Sequence, residues 1–317
     1  MSRTSVLARQ FISNLRKNIT NMSKPATDNT SLSATTQKLN NQHPAKLSEY
    51  AGLEHPPAAN SLPAKPQVKP LDIKVEDGID GTVPAFLHIP SNFQRGQQQT
   101  AAILLSGAGG GVVGPSSIYL SMGDKLASLN KAIPALRMDY RFPARNKYCV
   151  SDVIAAMNYL EETYGTNRFV LVGWSFGGAP VFTVGGKDER VVGCATVASQ
   201  TAETDGIRIV GRRAVPLLLL HGTGDRTLSP RCSHNLYEMY GSRGKRDLKL
   251  FEGDDHALTR NSKKAEELLI DFIAKCAGVE VGSDEERNVV KKTLVDGHDK
   301  VQKMKQGGDL RGAENIE

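Results

Sequence analysis

A doubly wound, mostly parallel α/β sheet flanked by helices is the fold class that the sequence predicts, on three observations. Apolar runs at residues 101–105, 133–138, 169–172, 191–197 and 215–220 alternate with helix-like segments, the βαβ rhythm of a parallel sheet. Runs such as Leu217-Leu218-Leu219-Leu220 lack polar alternation, as expected of strands covered on both faces. The length of 317 residues accommodates one such domain of about 200–250 residues with extensions.

Taken in order, the elements divide the chain into three parts: a basic leader at 1–70, a folded α/β domain at 71–278 and a polar tail at 279–317. Residues 24–70 are rich in Asn, Ser, Thr, Ala and Pro, with too few large apolar groups to offset the entropy of ordering, so a disordered leader is expected. Order is expected from Leu71. A stretch at 73–75, turn signals at Asp77-Gly78 and Gly81, and a run at 83–89 predict an opening β-hairpin. Helices are expected at 117–129, 151–164, 176–184 and 230–239, then a last strand at 248–251 and a helix at 262–275. The tail is expected to hold at most one marginal helix, at 284–295, and is assigned no function.

The formal charge of +6 sits in the leader: residues 1–70 carry nine Lys/Arg against three Asp/Glu, whereas 71–317 carry 31 of each. A nucleic-acid-binding domain would show a basic face or stripe, and this balance argues against one. Cys149, Cys194, Cys232 and Cys276 are far apart and form no C-x-x-C pair, so neither a zinc site nor a disulfide framework is indicated. No run reaches the roughly 18–20 apolar residues of a membrane span, and the chain reads as soluble and cytoplasmic. Residues 1–24 offer a mitochondrial alternative: Arg3, Arg9, Arg16, Lys17 and Lys24 are basic, and Leu7, Phe11, Leu15 and Ile19 recur every four residues.

The chemistry centres on Gly173-Trp174-Ser175-Phe176-Gly177-Gly178. G-x-S-x-G is short enough to arise by chance, but here an apolar strand leads directly into it and a helix can begin after it, the strand-turn-helix setting of a nucleophile elbow. A serine hydroxyl is a weak nucleophile, so it needs a base, and the base needs an orienting carboxylate. In the chain order serine, acid, histidine, the acid should follow a later strand and the histidine the last one. Asp225 lies in the loop after the Leu217-Leu218-Leu219-Leu220 run, with Asp254, Asp255 and Asp205 as competitors. His256 follows the terminal strand, and His221 is expected to buttress the Asp225 loop. Two backbone donors are needed for the oxyanion: Phe176, directly after the nucleophile, and Ala108, with Gly109 second, in Ser106-Gly107-Ala108-Gly109-Gly110-Gly111. This chemistry requires no cofactor.

These residues resemble the α/β-hydrolase superfamily, and within it small lidless members such as the dienelactone hydrolase-like proteins, over about residues 72–277. The resemblance implies Ser175 as nucleophile, Asp225 as acid, His256 as base, and Ala108 and Phe176 as oxyanion donors. Ser106-Gly107 stands where many members have His-Gly, and Ser175 stands where dienelactone hydrolases proper use cysteine. Residues 198–215, between the sixth and seventh strands, leave no room for the large cap that many relatives insert there. The implied activity is acyl transfer to water from a small ester, lactone or thioester.

Two other readings compete. Gly109, Gly111 and Gly114 match G-x-G-x-x-G after a strand, and Asp139 lies 25 residues beyond Gly114, the arrangement of a dinucleotide-binding oxidoreductase. A catalytically inactive α/β-hydrolase-fold binding protein is the second. Arg141, beyond the strand ending at 138, is a candidate anion contact, and Trp174 a candidate pocket or packing residue.

Overall fold

The computed structural model of the chain describes residues 45–311. Eight strands form one sheet: β1 (Gln67–Val75), β2 (Gly81–Ile89), β3 (Thr100–Leu105), β4 (Ala135–Met138), β5 (Arg168–Trp174), β6 (Val191–Val197), β7 (Leu217–Gly222) and β8 (Arg246–Phe251). Their spatial order is β1-β2-β4-β3-β5-β6-β7-β8. β1 and β2 form the expected hairpin, β2 is antiparallel to β4, and every pairing from β4 through β8 is parallel.

Seven helices of six residues or more surround the sheet among the described residues: α1 (Ile118–Ala127), α2 (Asn146–Tyr164), α3 (Gly178–Lys187), α4 (Ile207–Arg212), α5 (Arg231–Tyr240), α6 (Ser262–Ala277) and α7 (Gly297–Gln306). Period-two alternation sorts the strand side chains into two cores. Ala102, Leu104, Val170, Val172, Leu218 and Leu220 face α1 and α6, while Ala101, Ile103, Leu105, Leu171, Leu217 and Leu219 face α2, α3, α4 and α5. Helices therefore cover both faces, which explains the unbroken apolar runs. The chain order reverses at β3, which has β4 on one side and β5 on the other, so the crevice at their carboxyl ends is the expected place for a site.

Two of the expected boundaries are corrected. The leader expected to run to residue 70 is packed from residue 45 onward: Tyr50, Leu53 and Leu62 are buried in the same core as α1 and α6. Few apolar groups suffice here because each is almost fully buried and the carbonyl of Leu53 accepts a 2.7 Å hydrogen bond from buried Arg137. The tail is likewise structured. A short π-helical turn (Glu286–Val290) stands where the marginal helix was expected, α7 follows it, and Val289, Val290, Leu294 and Met304 join the core. The targeting pattern at residues 1–24 lies outside the described residues. No helix among the described residues is long and apolar enough to cross a membrane.

Candidate active site

β5 ends at Trp174, with Gly173 opposite Leu105 of β3 and Trp174 opposite Val197 of β6. The chain then turns so sharply that Ser175 takes φ +53°, a left-handed conformation that costs a non-glycine residue of order 1–3 kcal/mol. The flanking glycines are required. A Cβ at Gly177 would lie 2.6 Å from the carbonyl oxygen of Ser106, and one at Gly173 would overlap the carbonyl of Gly177. The turn continues through residues 175–177 into α3, whose amino end lies directly behind the serine. Ser175 is buried to 5% exposure.

His256 sits in the loop between β8 and α6, and its Nδ1 is 2.6 Å from Oδ2 of Asp225, in the loop after β7. Donation from Nδ1–H to the carboxylate leaves the lone pair on Nε2. Both side chains are buried. Asp225 Oδ1 accepts 2.8 Å bonds from the amides of Thr227 and Leu228, and its Oδ2 lies 3.1 Å from Nε2 of His221. Burial acts to raise the Asp225 carboxyl, but the bonds from His221 and His256 and the charge of His256 outweigh it, holding the group well below the usual carboxylate range. His221 is itself buried, with Nδ1 2.7 Å from Ser233 Oγ.

Two of the three competing acids, Asp254 and Asp255, have other tasks. Asp254 is buried and accepts bonds from the amides of Asp255, Arg260 and Asn261, which shape the entry to α6. Asp255 accepts from the amides of Ala257 and Thr259 and so fixes the loop that carries His256. Trp174, whose role the sequence left open, is fully buried, and its indole N–H donates a 3.0 Å bond to the carbonyl of His256 with the two rings 5.5 Å apart. The strand end that presents Ser175 is thereby tied to the loop that presents His256.

The loop after β3 runs back beside the elbow. Residues 107–110 close a turn through a 3.0 Å bond from Gly110 N to the carbonyl of Gly107, which places Ala108 at its tip. The carbonyl of Ser106 accepts a 3.1 Å bond from the Tyr140 hydroxyl and abuts Gly177, so the loop and the elbow are in direct contact.

The same loop overturns the dinucleotide reading. Four consecutive amides, at Gly111, Val112, Val113 and Gly114, are bonded respectively to Asp139 Oδ1, the Gly307 carbonyl, and the two carboxylate oxygens of Asp309. Asp139 is fully buried and also holds the amide of Tyr140, the Tyr50 hydroxyl and Arg311, so no ribose can reach it. The helix that should open within the fingerprint begins only at Ile118. Arg141 is also corrected as an anion contact: its guanidinium is buried between Asp152 and Asp77 and caps the β1–β2 hairpin through the carbonyl of Ile79.

An eight-stranded, mostly parallel sheet with helices on both faces and a strained serine between its third and sixth strands defines the α/β-hydrolase fold. The chain belongs to the dienelactone hydrolase family, whose sequence model matches residues 117–285, more than half of its length. Solved structures with this fold include a dienelactone hydrolase from Anabaena variabilis, with TM-score 0.54 and 14% identity over 67% of this chain and 98% of that one. The esterase domain of a Rhodothermus marinus protein gives TM-score 0.52 at 18% identity, covering 67% of this chain and 98% of that one. A puromycin-hydrolysing peptidase from Mycobacterium tuberculosis gives TM-score 0.52 at 15% identity over 68% of this chain, which spans only 40% of that peptidase. No curated protein sequence matches the chain.

Among the described residues, the β6–β7 connection holds only α4, and no large cap covers the sheet. Sequence reasoning missed Tyr50, Asp309 and Arg311 beside the glycine loop. The signals were present, as isolated aromatic and apolar residues in a polar leader and Gly307-Gly308-Asp309 in the tail.

Proposed function

We propose that the protein is a serine hydrolase that cleaves a small carboxylic ester, lactone or thioester through an acyl-enzyme intermediate. The observation that carries this reading is the 2.6 Å contact between His256 and Asp225, arriving on two later loops behind a serine held at φ +53°. His256 Nε2 takes the proton of Ser175 as Oγ attacks the carbonyl carbon, and Asp225 stabilises the imidazolium that forms. The amides of Ala108 and Phe176 receive the oxyanion. Collapse of the tetrahedral intermediate expels the alcohol or thiol, which takes its proton from His256. Water, deprotonated by the same nitrogen, then releases the acid and restores Ser175.

The test is labelling with a fluorophosphonate probe, which phosphonylates an activated serine. Wild type should label, Ser175→Ala should not, and His256→Ala should label slowly. Wild type that is folded but unlabelled, and inert toward a panel of short esters and thioesters, would leave the inactive binding protein as the correct reading.

A further inference from the structure

The glycine loop at residues 106–114 has no stiffness of its own, with five glycines among nine residues. What holds it is the C-terminal segment. Asp309 is fully buried, and its carboxyl group accepts from the Ser106 hydroxyl, from Val113 N at 3.1 Å and from Gly114 N at 2.7 Å, while the Gly307 carbonyl accepts from Val112 N at 3.0 Å. A Cβ at Gly109 would collide with the backbone of Arg311, and one at Gly111 with Asp309 itself. Glycine at these positions therefore admits the chain's own C-terminal segment. The amide nest that would cradle a phosphate in a nucleotide-binding loop is filled by an internal carboxyl group.

We propose that Asp309 is a positioning residue for hydrolysis: by gripping Ser106 and the amides of Val113 and Gly114, it holds the turn at 107–110 so that its backbone donor meets the developing oxyanion. This rests on the serine-hydrolase reading above. Ser106 is the link in both directions, since its hydroxyl is bound by Asp309 while its carbonyl packs on Gly177 of the elbow. Asp309 bonds to the loop and acts through it. Its loss should therefore weaken the transition state more than the bound substrate, because the donor that moves engages only when negative charge develops.

The experiment compares full-length wild type, Asp309→Ala and Asp309→Asn on p-nitrophenyl acetate, with thermal unfolding run in parallel. Asp309→Ala should lose roughly tenfold to a hundredfold in kcat, the scale expected of a misplaced catalytic group, with KM changed less than about threefold. Asp309→Asn keeps one acceptor oxygen, enough for Gly114 N and Ser106 but not for Val113 N as well, and should fall between wild type and Asp309→Ala, and binding of a boronic-acid analogue should follow kcat/KM across the series. A folded Asp309→Ala with wild-type kcat overturns the proposal, as does a loss in which KM rises by as much as kcat falls. If Asp309→Ala does not fold, Ser106→Ala with Asp309→Asn forms a double-mutant cycle, in which non-additive losses in kcat support the proposal and additive ones overturn it. An inert, unlabelled wild type is a different failure, which removes the hydrolase reading and this proposal with it.

Discussion

Asp225 combines two tasks that its position makes compatible. One oxygen anchors the turn that follows β7 by accepting from Thr227 and Leu228, and the other orients His256. Asp225→Asn preserves size and keeps an acceptor for the turn, but its amide donates to His256 and favours the wrong tautomer. The expected result is a loss of roughly a thousandfold or more in kcat on short esters, with the unfolding midpoint lowered only modestly. Retention of a tenth of wild-type kcat would show that Asp225 does not serve His256 in the reaction. The pairing of these two residues was legible because the motif dictates where a partner must fall: behind a later strand, in chain order. The competition from Asp254 and Asp255 was not resolvable in sequence, since all three aspartates follow strands. The three differ in direction: Asp225 meets His256, whereas Asp254 and Asp255 are turned onto backbone amides of their own loop.

Strand and helix periodicity found the elements from β3 to α6 except α4, which is only six residues long, and the first turn of α2, because central strands covered on both faces and amphipathic helices write their burial into the sequence. The segment from residue 45 to β1 escaped that reading, since it docks as irregular chain and two short 3-10 turns with no period to detect. Leu53 tests its contribution. It is 1% exposed within the core shared with α1 and α6, so Leu53→Ala should cost about 3 kcal/mol in urea unfolding, whereas a dispensable leader would give a change near zero. The β6–β7 connection makes a second prediction at this scale. Only the six residues of α4 stand where a cap would be inserted, so that connection supplies no large lid over a long acyl chain. Activity on p-nitrophenyl esters should therefore peak at acetate to butyrate and fall by about tenfold or more in kcat/KM at decanoate, by loss of the buried contact that a lengthening chain needs. A rising series would contradict the short-acyl assignment.

Across the whole molecule, the two ends of the described chain meet over the glycine loop. Tyr50 donates to Asp139 and accepts from Arg311, which lies 261 residues away in sequence, while Asp309 holds the loop from the same side. Neither end announces this in sequence, because each is polar on average and each gains its order from contact with the other and with β3 and β4. The arrangement carries a pH signature. Burial pushes the Asp309 carboxyl up to about 7, against the pull of the bonds from Ser106, Val113 and Gly114, with the neighbouring charge of Asp139 adding to the rise. Arg137, Arg311 and Tyr119 are the other titratable groups that sense it. Between about pH 4 and 7 the folded protein thus keeps a proton that the unfolded chain has released, so this group's contribution to stability falls as pH rises through that window and is smallest above it. His88 works in the opposite direction: burial, aided by the charge of Arg137, lowers it to about 4, so the stability it contributes is present above its ordinary value of 6.5 and is lost as pH falls through 4. A wild-type stability curve shows only the difference of the two, but Asp309→Asn removes one and leaves the other. The unfolding midpoint of Asp309→Asn minus that of wild type should therefore be larger at pH 8 than at pH 5, because the substitution relieves a buried charge that exists only at the higher pH. An equal difference at both would mean that the carboxyl group enters the loop at its ordinary acidity, already ionised at pH 5 and stabilised there by its three donors.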